Sequence, residues 1–320
     1  MRKLTNILAI LLAVLLVFPI GAQAAQLIPG GQLIGLALSD KTVTVAAFDK
    51  QESAAKAAGL QIGDRITHID DSPVTCAEDI RSALTRSNGT VTLKFTRKGT
   101  SHCISLAPQI TREGPRLGVY LKQGISGVGT VTYYDPESGD FGALGHSVND
   151  SDGNVLQMTA GAAYTAGILS IKKGACGHPG QLIGCMNTDE QFGIVRKNTP
   201  QGVFGHAQKA LAGTPMTVAD PDQVHTGQAT IRSTIENNTV QEYSVKILKI
   251  YPTTRSDGRN MLIKVTDPKL LETTGGIIQG MSGSPIIQDG KLVGAVTHVL
   301  VNDPTMGYGI FIENMLDAAA

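Results

Sequence analysis

Gly275–Val301 reads GGIIQGMSGSPIIQDGKLVGAVTHVLV. Its centre, Gly280-Met281-Ser282-Gly283-Ser284-Pro285, sets a serine between glycines and closes on proline. Two apolar runs follow, joined by Asp289-Gly290, and Asp-Gly between apolar runs is a strong hairpin signal. The pattern predicts paired strands at Ile286-Ile287-Gln288 and Leu292–Val299, with Ser282 on the loop that enters them. A serine nucleophile needs an exposed hydroxyl and nearby backbone N–H groups for an oxyanion. Flanking glycines let the backbone turn sharply and approach a substrate closely. The same hexamer also reads as an ordinary Gly-Ser turn, so its meaning depends on the rest of the chain.

Outward from that loop, composition narrows the field. The 320 residues are 42% hydrophobic, enough for a packed core and for about two domains beyond a targeting segment. Formal net charge is zero and no basic patch is interleaved with aromatics, so a nucleic-acid partner is not expected. Thirty-seven glycines, no tryptophan and abundant Val, Ile and Thr favour a turn-rich, mainly β protein. At the N-terminus, Arg2 and Lys3 precede an apolar run from Ile7 to Phe18, then Ala22-Gln23-Ala24. This is the pattern of an export signal with its cleavage site, and residues 1–25 are expected to be a signal peptide or an N-terminal membrane anchor. The four cysteines, Cys76, Cys103, Cys176 and Cys185, would pair most simply as Cys76–Cys103 and Cys176–Cys185 in an exported chain, with free thiols as the alternative.

Residues 26–109 form a first unit. Leu33-Ile34-Gly35-Leu36 is followed by a strand candidate at Thr42–Phe48, a short helix at Ser53–Ala58 ended by Gly59, a strand around Ile66, a helix at Glu78–Thr85 and a closing hairpin through Arg97-Lys98-Gly99. The segment Ala54-Ala55-Lys56-Ala57-Ala58-Gly59-Leu60-Gln61-Ile62-Gly63-Asp64-Arg65-Ile66 resembles the core of a PDZ domain, in the permuted order found in bacterial secreted proteases. That resemblance implies that the amides of Leu33, Ile34, Gly35 and Leu36 hold a peptide C-terminus while the peptide adds as a strand beside the Glu78–Thr85 helix.

Residues 110–320 carry the chemistry. His146 ends the apolar, glycine-containing run Phe141-Gly142-Ala143-Leu144-Gly145, just before the polar loop Asn149-Asp150-Ser151-Asp152-Gly153. A general base needs one imidazole nitrogen facing the nucleophile and the other held by a carboxylate or a carbonyl. Asp267, in Val265-Thr266-Asp267-Pro268, is one candidate for that carboxylate; Asp150, Asp152 and Asp140 are others, and spacing does not choose among them. Cys176, His178 and Cys185 lack a clear fourth zinc ligand, and the predicted chemistry requires no metal or cofactor. His206 reads as structural. His298, in the strand after the serine, is a candidate specificity-pocket residue.

From Tyr133 onward the chain resembles the stage IV sporulation protein B family of secreted serine peptidases. The carriers are Gly142-Ala143-Leu144-Gly145-His146, Lys264-Val265-Thr266-Asp267-Pro268 and Gly276–Thr305. The resemblance implies a permuted PDZ domain followed by a trypsin-like double β-barrel. It implies His146 as base, Asp267 as acid and Ser282 as nucleophile, and, since trypsin-like sites use the nucleophile's amide and that of the residue two before it, Gly280 and Ser282 as oxyanion donors. In that fold the acid belongs with the first barrel, so an aspartate close before the serine marks an altered triad or a dyad. The implied activity is cleavage of the chain's own N-terminal segment and of the extracytoplasmic part of a membrane-bound regulator. That frees an intramembrane protease to activate a late mother-cell sigma factor, and the enzyme works between the mother cell and forespore membranes. The rival expectation is an inactive adaptor that only binds peptide C-termini.

Overall fold

The computed structural model describes residues 25–49, 53–150, 152–255 and 257–320. The predicted leader up to residue 24 lies outside them. No helix among the described residues is long and apolar enough to cross a membrane.

The chain opens with β1 (Gln26–Pro29) and then β2 (Leu33–Phe48), one 16-residue strand. The compact unit that follows has α1 (Ala54–Ala57), β3 (Arg65–Ile69), β4 (Ser72–Pro73), α2 (Ala77–Arg86), β5 (Val91–Arg97), β6 (Thr100–Leu106) and a small hairpin of β7 (Gln109–Thr111) and β8 (Gly114–Arg116). Its local signals are plain. The Ser53 side chain caps α1 by accepting from Lys56 N, and Asp79 in the first turn of α2 reaches back to Thr75 N and Cys76 N. The Gly63-Asp64 turn is fixed by Asp64, 1% exposed, which accepts from Gln61 N at 2.7 Å and from both forks of Arg97 at 2.7 and 2.6 Å. Val43, Val45, Ile66, Ile69, Leu84 and Phe95 fill its core.

The chain then enters β9 (Val119–Tyr134), another 16-residue strand, and continues through β10 (Asp140–Ala143), β11 (Ala160–Lys172), β12 (Gln181–Thr199) and β13 (Gly202–Ala207). Antiparallel pairing runs β2–β9–β10–β13–β12–β11 and back to β2, which closes a six-stranded ring. Short β14 (Met216–Thr217) pairs with β1 at its margin. The second ring is a closed barrel, β15-β16-β17-β20-β19-β18. It is built from β15 (Gly227–Glu236), β16 (Thr239–Ile250), β17 (Met261–Val265), β18 (Pro285–Gln288), β19 (Lys291–Leu300) and β20 (Asp303–Phe311). Between β17 and β18 lies α3 (Pro268–Thr274), and α4 (Ile312–Ala319) ends the chain. The predicted β18–β19 hairpin is present, with Asp289 and Gly290 at φ of 49° and 73° in its turn.

The architecture is mainly β, a PDZ module with a pair of six-stranded barrels, but the boundary between them differs from the expected one. The PDZ core draws on residues from Val43 to Leu121. It is inserted between β2 and β9, two neighbouring staves of the first barrel. Leu33–Leu38 pair with β9 on one side, and Ile34–Ser39 pair with β11 on the other. Leu33, Ile34 and Leu36 are buried, and a Cβ on Gly35 would lie 2.3 Å from Met186. The backbone of Leu33, Ile34, Gly35 and Leu36 is therefore committed to the barrel sheet, which corrects the peptide-carboxylate role expected for it. All four cysteines are unpaired, so neither expected disulfide is formed.

Candidate active site

The Ser282 loop rests against the inner end of β9. Its glycines are needed where they stand: Gly283 has φ of 95°, and a Cβ there would lie 2.1 Å from Thr130 O and 2.5 Å from Leu144 N. Thr130 Oγ1 donates to Gly280 O at 2.8 Å, Thr130 N to Ser282 O at 3.0 Å and Thr132 Oγ1 to Gly283 O at 2.8 Å. From the second barrel, Gly283 N donates to Val296 O. From the first, Leu182 N donates to Gln279 O at 2.8 Å, which fixes the peptide plane that carries the Gly280 N–H. The N–H groups of Gly280 and Ser282 make no hydrogen bond among the described residues, so both donors remain open.

His146 comes from the first barrel. It follows two residues in the left-handed region, Leu144 and Gly145, each at φ of 69°. Leucine is rarely found there, and such local strain concentrates at functional sites. The turn is held by Leu144 N donating to Thr130 O and Gly145 N to Ala143 O. Beyond His146, Asn198 anchors the next loop through Val148 N, Val148 O and Leu156 O. His146 Nδ1 lies 2.8 Å from Ser147 O. A carbonyl only accepts, so the neutral ring carries its proton on Nδ1 and leaves the Nε2 lone pair free. Burial pushes the His146 pKa below its usual value, partly offset by the Ser147 carbonyl.

His146, Ser282 and His298 line one cavity of about 450 Å³ with Gly280, Thr297 and the β9 residues Ile125, Gly127 and Val128. The two imidazole centroids are 5.4 Å apart. Burial, then the charges of His146 and Arg259, push His298 down to about 4, with Asp257 opposing. Its Nδ1 is buried without a partner among the described residues. Ser282 Oγ donates to Thr297 O at 2.9 Å. The hydroxyl proton is therefore directed at a carbonyl on β19, and transfer to His146 requires this hydrogen bond to be broken.

Asp267 does not join this group. Its side chain accepts from Leu270 N at 2.9 Å and caps α3, whose first residue is Pro268. The triad acid expected there is thus a helix cap, because an Asp-Pro pair at a strand-to-helix junction satisfies the first orphan amides of the helix. The other carboxylates are also engaged elsewhere: Asp140 contacts His206 at 2.9 Å and Arg196 at 3.5 Å, while Asp150 and Asp152 face Arg65 of the PDZ module at 3.7 and 3.4 Å. Among the described residues, the histidine's partner is a backbone carbonyl. Thr130, Thr132, Thr297 and Asn198 were not singled out from sequence. The alternation of Thr130 and Thr132 in a strand, with both hydroxyls on one face, was the available signal.

A serine and a histidine in one cavity between two barrels, with two open amides beside the serine, define a serine-peptidase type of site. The family model described as SpoIVB peptidase S55 matches residues 113–316, and a PDZ domain model matches residues 31–107. The chain belongs to the SpoIVB peptidase S55 family and carries a PDZ domain. Two curated relatives, each named "Putative zinc metalloprotease", are 32% identical over 34% of this chain (R01501 of Rhizobium meliloti) and 30% identical over 48% (Atu1380 of Agrobacterium fabrum). The chain spans 28% and 37% of their lengths. Among solved structures, the Rv3671c protease of M. tuberculosis in its active form is 14% identical over 60% of this chain and 72% of that one, with a TM-score of 0.38.

Proposed function

We propose that this chain is an exported signalling endopeptidase that cleaves its own N-terminal segment and the extracytoplasmic part of a membrane-bound regulator. Release of that regulator lets an intramembrane protease activate a late sigma factor during sporulation, in the space between the mother cell and forespore membranes. The reading rests on family membership for the pathway and, for the chemistry, on one observation: Ser282 and His146 share a cavity with the free N–H groups of Gly280 and Ser282.

In the reaction, Ser282 Oγ attacks the peptide carbonyl carbon as its proton passes to His146 Nε2. The Ser147 carbonyl holds the Nδ1–H of the resulting imidazolium, and the Gly280 and Ser282 amides receive the oxyanion. Collapse breaks the C–N bond, His146 returns the proton to the leaving amine, and water hydrolyses the acyl-enzyme by the same route. Peptide C-termini bind in the PDZ module at the open edge of β9. Among the described residues Val119–Gln123 pair only with β2, and Tyr120 there is 60% exposed.

The test is self-cleavage of the purified chain beside Ser282→Ala, together with a serine-directed fluorophosphonate. Wild-type cleavage and labelling, both lost in Ser282→Ala, are expected. The Ser282–Thr297 hydrogen bond favours one rival, an inactive peptide-binding adaptor, and an intact, unlabelled wild type would establish that rival instead.

A further inference from the structure

Thr130 is placed to do more than complete a strand. It is 1% exposed, and three of its polar groups point to the two halves of the site. Its N–H and Oγ1 reach Ser282 O and Gly280 O at 3.0 and 2.8 Å, and its carbonyl accepts from Leu144 N at 3.3 Å, two residues before His146. One residue of β9 thus joins the nucleophile loop of the second barrel to the histidine loop of the first. Two of these bonds use backbone and would survive any substitution. The third needs a hydroxyl. As a β-branched residue in a strand, threonine has few χ1 choices, so that hydroxyl is aimed before substrate arrives.

The atom that Oγ1 holds matters most. Gly280 has φ of 101°, and its N–H is one of the two open donors beside the serine. Glycine at that φ has a shallow barrier to rotation of either neighbouring peptide. The peptide before it is fixed by Leu182 N on Gln279 O, and the peptide after it by Thr130 Oγ1 on Gly280 O and by Met281 N on Ile278 O at 3.1 Å. Removing the threonine hydroxyl leaves the carbonyl end of that second peptide without its donor and only its N–H end held, and the loop gains a reason to rotate that carbonyl toward water. Such a rotation re-aims the amides on both sides of Met281.

We infer that Thr130 is a positioning residue for the peptidase reaction: its hydroxyl clamps the Gly280 carbonyl and so holds the Gly280 and Ser282 amides, and Ser282 against His146, in reacting geometry. The inference rests on the reading of Ser282 as nucleophile. Thr130→Val removes the hydroxyl at nearly constant volume, and Thr130→Ser keeps it while dropping a methyl. The readout is fluorophosphonate labelling of the full chain across probe concentration, which separates the maximal labelling rate from the half-saturating concentration. Thr130→Val is expected to lower the maximal rate about 10- to 100-fold, the scale of a displaced catalytic group or weakened oxyanion donor, with the half-saturating concentration unchanged. Thr130→Ser is expected to restore most of the rate, and melting temperature serves as the control for folding. Wild-type maximal rate in Thr130→Val, or equal losses in the Val and Ser variants, overturns the positioning role while Ser282→Ala stays unlabelled. Labelling that persists in Ser282→Ala overturns the nucleophile reading and this inference with it.

Discussion

Two imidazoles share the cavity, and their titration governs both rate and stability. Burial disfavours the charged form of His146, so its neutral, base-competent form persists to lower pH than in an ordinary histidine. The maximal fluorophosphonate labelling rate should therefore be flat near neutrality and fall only as pH drops through a midpoint below 6.5, measured as a pH–rate profile. Because burial is the leading cause, that midpoint should stay below 6.5 in His298→Phe. His298, pushed down to about 4, affects stability with a definite sign. Between pH 6.5 and about 4 the unfolded chain binds a proton that the folded chain refuses, so stability present above 6.5 is lost as pH falls through this window. A melting-temperature series over that range should slope downward in the wild type and be flatter in His298→Phe. Asp267 offers the sharpest residue-level contrast. As a helix cap, Asp267→Ala should cost about 1 kcal/mol of stability, whereas Asp267→Asn, an equally good cap, should keep both stability and labelling rate. A large rate loss in Asp267→Asn with unchanged melting would return the carboxylate to the triad. Ser282 and His146 were legible in sequence because glycine-flanked serine and a strand-end histidine are local patterns. The partner of His146 was not, because a backbone carbonyl leaves no mark in residue identity.

Elements were legible where their signal was local and misread where it was shared. The β18–β19 hairpin follows from Asp289-Gly290 between apolar runs, α1 from its end at Gly59 and α2 from the helical spacing of Ile80 and Leu84. Leu33-Ile34-Gly35-Leu36 failed for a physical reason: a buried apolar strand with one glycine looks the same whether it borders a peptide groove or crosses a barrel. Only the pairing on both edges, to β9 and to β11, separates the two. In β9 the residues Gly124, Gly127 and Gly129 interrupt the apolar pattern that would mark one long strand. In the structure two of those glycines mark close approaches: a Cβ on Gly124 would lie 1.9 Å from Leu38 O and one on Gly129 2.1 Å from Leu144, whereas a Cβ on Gly127 would meet nothing within 4 Å. The element-scale prediction concerns the nucleophile loop, where Gly283 needs both a positive φ and the absence of a side chain. Gly283→Ala should abolish labelling, since relief of a 2.1 Å clash with the Thr130 carbonyl must move either β9 or the loop. Gly290→Ala, whose Cβ would meet nothing within 4 Å, should keep labelling at the cost of a modest drop in melting temperature. Labelling at the wild-type rate in Gly283→Ala would show that the loop is not packed against β9 as seen.

Over the whole molecule, the consequence of inserting the PDZ module between β2 and β9 is that one edge of the module and the wall of the serine–histidine cavity share a strand. β9 leaves the module with its Val119–Gln123 edge open, lines the cavity at Ile125, Gly127 and Val128, and clamps the nucleophile loop at Thr130 and Thr132. A second link crosses the same boundary through side chains. Arg65, on β3 of the PDZ module, faces Asp150 and Asp152, which lie on the loop after His146. Tilting the module against the barrel therefore pulls on both sides of the site, the serine through β9 and the histidine through this ion cluster. The groups are partly exposed, so the electrostatic link should be weak, at most about 1 kcal/mol, or roughly fivefold in rate, and screened by salt. Arg65→Gln should slow fluorophosphonate labelling by about two- to fivefold at low salt and leave less of the wild-type salt dependence. Asp152→Asn removes one of the two carboxylate contacts of Arg65 and should have the smaller effect, and the double variant should be no slower than Arg65→Gln alone, since that change already removes both contacts. Additive effects in that cycle would mean that Arg65 and Asp152 act separately, leaving β9 alone to carry any influence of a PDZ-bound peptide to Ser282.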